Sequence, residues 1–326
     1  MPGRLTSNAD GGRLKGGKAM KLSKFLSAVA ATAVFAGGAS AETFGYSSPN
    51  FDDNFQTIIR TAAEEYAKSL GHDILIEDAR EDVGTQLSQV QNFIASGVDA
   101  IILAPVSTEA TPAITEMVKA AGIPLAYINR RPVDWESLGG MSTYVGSDNY
   151  VAGTLSGEAA CAAAGGTGSA VLLIGFLRNE DAQARTNAVK DVLKTDACSG
   201  IEIVAEQEAE WQRTKGADVT ANWLASGIKP DIVFANNDEM ALGAIQALKA
   251  AGISMDDVVV AGVDATPDAL DAMEAGDLDV TVFQDAAGQG RGGIDAALAM
   301  IGGESLGAYT DIPFIAVTPE NMADFK

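Results

Sequence analysis

The chain has 326 residues, of which 47% are hydrophobic, so it is long enough to form two domains with real cores and is not a disordered chain. It carries 22 Lys and Arg against 44 Asp and Glu, which gives a formal net charge of −22 at pH 7. That charge argues against nucleic acid or an anionic membrane surface as a partner. We interpret the acidic excess as a solubility shell rather than as an acidic active face.

A secretory signal peptide is predicted at residues 20–41. Two lysines supply its positive start, residues 25–36 form its apolar core, and residues 39–41 are an A-x-A cleavage site. The apolar core is too short to cross a membrane. No Cys follows the cleavage site, so no lipid anchor is indicated. We expect export to the periplasm, with cleavage after Ala41.

Residues 1–19 precede the natural start of such a signal. We interpret them as a mis-assigned start or a cloning remnant, with translation beginning at Met20. The exported chain would then be residues 42–326. Its net charge would be −27, because the first 41 residues contain six basic side chains and one acidic side chain.

Strands and helices alternate along the rest of the chain. Strands are predicted at 43–47, 73–77, 100–103, 125–128, 169–174, 201–205, 231–235, 258–263 and 280–283. Helices are predicted at 55–70, 85–96, 109–121, from about 150 onward, and at 182–194, 214–226, 239–251, 267–275 and 287–301. This alternation predicts an α/β fold in which a parallel sheet is covered by helices on both faces.

An internal echo indicates two similar halves. The segment at 94–98 (IASGV) recurs at 224–228 (LASGI), and the segment at 119–123 (KAAGI) recurs unchanged at 249–253. Both echoes have the same offset of 130 residues. Equal offsets favour a duplication, although Ala- and Gly-rich helix ends also resemble one another for general reasons. Two doubly wound halves would face each other across a cleft, and such clefts are favoured sites for small molecules.

Polar residues follow the predicted strands at their carboxyl ends, where open α/β sheets bind ligands. Asn237 follows the strand at 231–235, and Asp264 follows the strand at 258–263. Helix capping is the alternative role for these two residues, because Asn and Asp are favoured N-cap residues, and it is at least as well supported for their neighbours Asp238 and Thr266.

The candidate ligand-binding residues share this kind of position. Strand ends supply Asp53, Asn54, Asn129, Arg130, Asn237, Asp264 and Gln284, and loops and helix starts add Phe55, Asp181, Arg185 and Trp211. A sugar hydroxyl both donates and accepts hydrogen bonds, so carboxylates, amides and guanidinium groups suit a neutral polyol. Phe55 and Trp211 could cover the apolar face of a ring, although core packing is the commoner role of a single aromatic side chain.

Enzymatic, metal and cofactor functions are disfavoured. His72 is the only histidine, so a Ser-His-Asp triad would have to use it. Cys161 and Cys198 are the only cysteines and form no C-x-x-C or Cys/His pattern, so no metal site is indicated. Export permits a disulfide between them, but two separate buried thiols fit the sequence equally well.

The chain resembles the periplasmic sugar-binding proteins of ABC importers, the galactose/glucose- and ribose-binding group, over nearly all of residues 42–326. The segments that carry the resemblance are 51–55 (FDDNF), 181–186 (DAQART), Trp211, 235–238 (ANND) and 262–267 (GVDATP). It implies that the sugar is contacted by Asp53, Phe55, Asn129, Asp181, Arg185, Trp211, Asn237, Asp264 and Gln284. At positions 130 and 284, Arg130 and Gln284 make the chain similar to the ribose-binding proteins.

Several residues depart from the galactose-binder pattern. Asn179 stands where that protein has a sugar-contacting His, Pro49 replaces an aromatic residue, and 162–170 lacks carboxylates for a Ca²⁺ ion. Residues 128–132 and 280–289 look most like the inositol- and rhizopine-binding branch. We therefore expect a cyclitol such as myo-inositol, with a pentose or hexose such as ribose or galactose as the alternative.

The resemblance also implies the type I periplasmic binding protein fold, in which two lobes close on the ligand about a hinge. Three crossings are expected near 146–149, 283–286 and 312–316. The N-terminal lobe would be 42–147 plus 285–312, and the C-terminal lobe 148–284 plus 313–326. A monomer without a cofactor would present its closed form to an inner-membrane permease. A ligand carrier for chemotaxis or for a sensor kinase would use the same fold.

Overall fold

The computed structural model describes residues 41–326, so the predicted signal peptide up to residue 40 and the segment before it lie outside the described residues. The strands are β1 Thr43–Ser48, β2 Asp73–Asp78, β3 Ala100–Leu103, β4 Leu125–Ile128, β5 Ser142–Gly146, β6 Thr167–Ile174, β7 Gly200–Glu208, β8 Ile232–Ala235, β9 Val259–Ala261, β10 Thr281–Phe283, β11 Tyr309–Asp311 and β12 Ile315–Val317. The α-helices are α1 Asn54–Ser69, α2 Val83–Ser96, α3 Thr111–Ala121, α4 Asn149–Ala163, α5 Glu180–Val192, α6 Arg213–Ala225, α7 Asp238–Ala250, α8 Pro267–Glu274 and α9 Ala286–Ile301.

A six-stranded parallel sheet forms the centre of the first lobe, in the order β11-β5-β4-β3-β1-β2. Side chains alternate between its faces. In β3, Ala100 and Ile102 pack with α1 and α9, whereas Ile101 and Leu103 pack with α2 and α3. Because both faces are buried, the strand is apolar throughout and carries no polar alternation.

A four-stranded parallel sheet forms the centre of the second lobe, in the order β7-β6-β8-β9. It is covered in the same way. Leu172 and Phe234 pack with α4 and α5, and Val171 and Val233 pack with α6 and α7. A short antiparallel pair, β10 with β12, lies beside β9. The predicted pair of doubly wound parallel-sheet lobes is confirmed.

The chain passes between the lobes three times. The first passage joins β5 to α4, the second joins β10 to α9, and the third joins β11 to β12. Neither lobe is therefore one continuous stretch of sequence. The exact lobe boundaries given above stay a prediction.

The segments that repeat at an offset of 130 residues also have matching backbone conformations. Gly97 and Gly227 both have a positive φ, of 71° and 86°, where α2 and α6 end. Two further pairs at the same offset, Arg80-Glu81 and Glu210-Trp211, take left-handed φ angles of 52–65° just after β2 and β7. Left-handed conformations are costly for residues other than Gly. Finding them at equivalent places in both lobes supports a duplicated architecture.

Cys161 at the end of α4 and Cys198 after α5 form a disulfide, the arrangement that the sequence left open. Helices α4 and α5 also approach closely, since a Cβ atom at Gly153 would lie 2.3 Å from the carbonyl oxygen of Arg185. The bridge and this close contact hold α5, the helix that carries Asp181 and Arg185.

Among residues 41–326, no helix is long and apolar enough to cross a membrane.

Candidate ligand-binding site between the lobes

A small cavity of about 30 Å³ lies where the carboxyl ends of the two sheets face each other. Its walls are formed by Asp53, Phe55, Gln56, Asn129, Arg130, Asp181, Arg185, Trp211, Asn237, Asp264 and Gln284. Ten of the eleven candidate residues are thus brought together, all except Asn54, and Gln56 is an addition that sequence reasoning missed.

The start of α1 supplies the first part of the wall. Asp53 is the N-cap of α1, and its Oδ1 accepts a hydrogen bond from the Gln56 backbone N–H at 3.1 Å. Phe55 and Gln56 are both buried. The Gln56 amide donates to Oδ1 of Asn129 at 2.7 Å, so it links α1 to the end of β4.

The end of β4 supplies Asn129 and Arg130. Asn129 has a left-handed φ of 64°, a conformation that Asn tolerates better than most residues. The Arg130 guanidinium is 4% exposed and donates to the carbonyl oxygens of Pro105 and Val106 and to Oε1 of Glu81. Arginine has five N–H groups, so two remain for a ligand.

Helix α5 contributes Asp181 and Arg185 from one face, since residues four apart lie one turn above each other. Oδ1 of Asp181 accepts from the Asn149 amide at 3.0 Å and from the backbone N–H of Arg131 at 3.1 Å. No hydrogen bond within residues 41–326 involves Oδ2 of Asp181. That oxygen is available to a ligand hydroxyl.

Arg185 is held by three different elements of the second lobe and the hinge. It donates to Oδ1 of Asn149 at 2.8 Å, to the carbonyl oxygen of Asn236 at 2.6 Å and to Oε1 of Gln284 at 3.0 Å. Its Nη1 lies 3.8 Å from Oδ1 of Asp264. Two of its five N–H groups again remain. The guanidinium is therefore fixed in place before any ligand arrives.

Asn237 and Trp211 form the opposite corner. Asn237 is the N-cap of α7, accepting from the Met240 backbone N–H at 3.1 Å, and its amide donates to the Trp211 carbonyl oxygen at 3.2 Å. The capping role considered for Asp238 is wrong, because the extended backbone of Asn237, one residue earlier, places Asn237 at the cap. Thr266 does cap α8 by accepting from the Ala269 N–H, as expected.

Three buried polar atoms of the cavity walls have no hydrogen-bond partner within residues 41–326: Gln56 Oε1, Trp211 Nε1 and Gln284 Nε2. One is an acceptor and two are donors. Buried polar atoms in folded proteins are almost always paired, so each unpaired atom needs an explanation. A ligand with both donors and acceptors would satisfy all three.

The three carboxyl groups of the cavity are all perturbed. Burial raises the pKa of Asp53, raises the pKa of Asp181 to about 6, and raises that of Asp264 well above its usual range, although Arg185 opposes this last rise. Desolvation disfavours the charged form of a carboxyl group. Hydrogen bonds from ligand hydroxyls would favour that charged form again.

Contacts between the lobes surround the mouth of the cavity, and we call them the rim contacts: Arg131–Glu180, Arg178–Glu81 and Asn54–Glu239. Glu81 receives Arg130 of its own lobe on one oxygen and Arg178 of the other lobe on the other oxygen, at 3.1 and 2.7 Å. Asn54, a strand-end candidate from the sequence, therefore lies at the rim and not in the cavity wall.

Groups for covalent or metal chemistry do not meet at this cavity. His72 directly precedes β2, at the amino end of its sheet, whereas the cavity lies at the carboxyl ends. Asn179 is fully buried but does not line the cavity. Within the described part of the chain, no group of three or more His, Cys, Asp or Glu side chains could hold a metal ion. The arrangement is suited to binding.

Comparison with known proteins agrees with this geometry. A family model described as a periplasmic binding protein domain matches residues 44–305. The chain belongs to the periplasmic binding protein family. Its members are solute-binding proteins, so the prediction that this chain is a binding protein and not an enzyme is confirmed.

Individual relatives extend over almost the whole chain. The "Putative rhizopine-binding protein" of Rhizobium meliloti is 53% identical over 306 residues, covering 94% of this chain and 99% of that protein. The ribose import binding protein of Escherichia coli K12 is 29% identical and covers 88% of this chain and 95% of that protein.

A solved structure of an ABC transporter solute-binding protein from Bacillus halodurans with bound myo-inositol has a TM-score of 0.81 and 40% identity, covering 89% of this chain and 98% of that one. The Caulobacter myo-inositol binding protein bound to myo-inositol has a TM-score of 0.80 and 26% identity, covering 88% and 96%. The predicted resemblance to the inositol- and rhizopine-binding branch is confirmed.

Proposed function

We propose that this chain is the periplasmic receptor of an ABC importer and that it binds a neutral cyclic polyol, myo-inositol or a related cyclitol, between its lobes. The observation that carries the proposal is the cavity wall. Both lobes contribute buried, hydrogen-bonding side chains to the lining of one small space. The two solved structures with bound myo-inositol, which are 40% and 26% identical to this chain, support the ligand class.

A ring with a hydroxyl on every carbon matches the free hydrogen-bonding groups. Arg130 and Arg185 each offer two N–H groups, and Asp181 offers a free carboxylate oxygen. Each hydroxyl can accept from a guanidinium and donate to a carboxylate at the same time. Phe55 and Trp211 supply apolar surface for the C–H faces of the ring. Two arginines and three acids leave little net charge, which favours a neutral ligand.

Ligand binding would favour the closed arrangement of the lobes, because the ligand contacts both of them. The rim contacts would add to that preference. An inner-membrane permease would recognise the closed form. The chain would reach the periplasm through cleavage after Ala41 and would act as a monomer without a cofactor.

The test is a thermal-shift panel of cyclitols, pentoses, hexoses and alditols, followed by calorimetry on every compound that shifts the melting temperature. A ligand at about 100 times its Kd should stabilise the protein by about 2.7 kcal/mol. We expect myo-inositol or another cyclitol to give the largest shift. If no polyol or sugar shifts the melting temperature, the proposal fails.

A pentose or hexose is the second candidate. Solved relatives with bound D-allose, at 26% identity, and with bound L-arabinofuranose, at 30% identity, have TM-scores of 0.78 and 0.80. The same panel separates the two candidates, since a monosaccharide that binds more tightly than every cyclitol would replace the first one. A role as ligand carrier for chemotaxis or a sensor kinase would use the same binding step.

A further inference from the structure

Asp238 is a buried carboxyl group that lies just behind the cavity wall. It is 0% exposed and stands between the wall residue Asn237 and the body of α7. Its Oδ1 accepts from the Thr281 hydroxyl at 2.7 Å, and its Oδ2 accepts from the Thr266 N–H at 2.9 Å and from the Thr266 hydroxyl at 3.3 Å. These partners belong to β10 and to the turn after β9.

That turn is the backbone that presents Asp264 to the cavity. Asp264 and Ala265 have positive φ angles of 128° and 51°. Such conformations are unfavourable for residues with a side chain and persist only when the surroundings hold them. The Ala265 N–H donates to the Thr281 hydroxyl at 3.1 Å. Hydrogen bonds to Thr281 and Asp238 thus hold the turn at two consecutive residues, Ala265 and Thr266.

The hydrogen bonds form a directed chain. The Ala265 N–H donates to Oγ1 of Thr281, and the Thr281 hydroxyl then donates to Oδ1 of Asp238. Because a backbone N–H only donates, the Thr281 oxygen accepts from Ala265, and the Thr281 hydroxyl proton is left for Asp238. Removing the middle hydroxyl would leave both of its neighbours unpaired.

The backbone just after β9 lies directly against the Asp238 carboxyl group, because a Cβ atom at Gly262 would lie 2.3 Å from its Oδ1. An acidic residue in the first turn of a helix is favourable on general grounds. However, the hydrogen bonds of this side chain go to Thr266 and Thr281, while Asn237 caps the helix. The contacts therefore indicate a function in the turn.

We propose that Asp238 and Thr281 are positioning residues that fix the direction of the Asp264 carboxylate and so set the affinity of the cavity for its ligand. Only the part of this inference that concerns ligand affinity rests on the proposed function. Neither residue lines the cavity, so both would act through Asp264. Within residues 41–326, the one ionic partner of the Asp264 carboxylate is Arg185, 3.8 Å away, so the direction of the carboxylate depends on the backbone that carries it.

The test uses Thr281→Val, which keeps the side-chain shape and removes the hydroxyl. We expect the Kd for myo-inositol, measured by calorimetry, to weaken about tenfold or more, and Thr281→Ser to restore it. Thr220→Val is the matched control, since Thr220 is equally buried on α6 and its hydroxyl has no partner within the described residues. It should leave the Kd unchanged.

A double-variant cycle separates positioning from a general loss of stability. In an Asp264→Ala background, adding Thr281→Val should change the Kd less than about twofold while still lowering the melting temperature. An unchanged Kd in Thr281→Val alone, or an equal loss in both backgrounds, would overturn the proposal.

Hydrogen exchange of the backbone amides at 264–266 gives a readout without ligand. Thr281→Val should speed this exchange and Thr220→Val should not. If the wild type bound no polyol but the amides behaved in this way, the proposed function would fail and the positioning of the turn would stand. If exchange at 264–266 were the same in Thr281→Val and in the wild type, the positioning itself would be wrong.

Discussion

Replacing Arg185 by Ala is the most informative single perturbation of the cavity. The guanidinium is 5% exposed and makes three hydrogen bonds, to Asn149, Asn236 and Gln284, and it is the nearest cation to Asp264. The change removes these contacts together with two N–H groups that face the ligand. It should therefore weaken both the fold and the binding, and the two effects can be measured separately.

The expected size follows from these contacts. Removing one partner of a buried charge pair typically costs about 3–5 kcal/mol of stability, because the remaining charge stays buried. At roughly 2–4 °C per kcal/mol for a protein of this size, the melting temperature should fall by about 10 °C. The loss of charge-assisted hydrogen bonds to ligand hydroxyls should cost about 1–3 kcal/mol of binding free energy, or about five- to 150-fold in Kd.

Calorimetry with myo-inositol at a temperature below both melting transitions measures the binding part. Lys249→Ala is the control, because Lys249 makes two hydrogen bonds to Asp277 but is exposed and does not line the cavity. It should lower stability by about 1 kcal/mol or less and leave the Kd unchanged. An Arg185→Ala protein with the wild-type Kd would remove Arg185 from the binding site.

Three further predictions follow from the rim, from Asp181 and from the disulfide. Arg178→Gln removes the guanidinium that donates to Glu81 across the lobes and should weaken the Kd by about two- to fivefold; the difference from the wild type should shrink in about 1 M salt, and a salt-independent difference would contradict it. Because burial raises the pKa of Asp181 to about 6, its contribution to stability is present below about pH 4 and is lost as the pH rises through 6. Urea unfolding of Asp181→Asn without ligand should therefore show a smaller loss of stability between about pH 4 and pH 7 than the wild type shows; an equal loss in both proteins would refute this. The double variant Cys161→Ser, Cys198→Ser opens a loop of 37 residues and should lose about 3–4 kcal/mol in the same assay, whereas unchanged stability would show that the bridge adds nothing.

Most of the fold could be predicted from the sequence because a strand buried on both faces is a short, continuous apolar run. Residues 100–103 and 125–128 were predicted with the observed bounds. β11 carries no such signal. It is Tyr-Thr-Asp, with Thr310 and Asp311 exposed, and it is a strand only because it pairs with β5. β12, Ile-Ala-Val at 315–317, is apolar but only three residues long, and it is a strand because it pairs with β10.

The cavity residues could be predicted because the carboxyl ends of parallel strands meet at one edge of a sheet. Gln56 was missed because it lies inside a helix, where a polar residue is usually placed towards solvent. The cap of α7 stayed open between Asn237 and Asp238 because both are good capping residues, and only the backbone φ of −147° at Asn237 decides between them. The hydrogen bond from Arg130 to Glu81 depends on the left-handed φ of Glu81, which no local sequence pattern indicates.

The threefold passage between the lobes has a consequence for how the protein folds. The first lobe is completed by a segment near the C-terminus, since Thr143 donates to the carbonyl oxygen of Gly307, 164 residues further along the chain. Contacts at such separations make folding slow, because the closure of a long loop must precede them. The first lobe therefore stays incomplete until nearly the whole polypeptide has been synthesised.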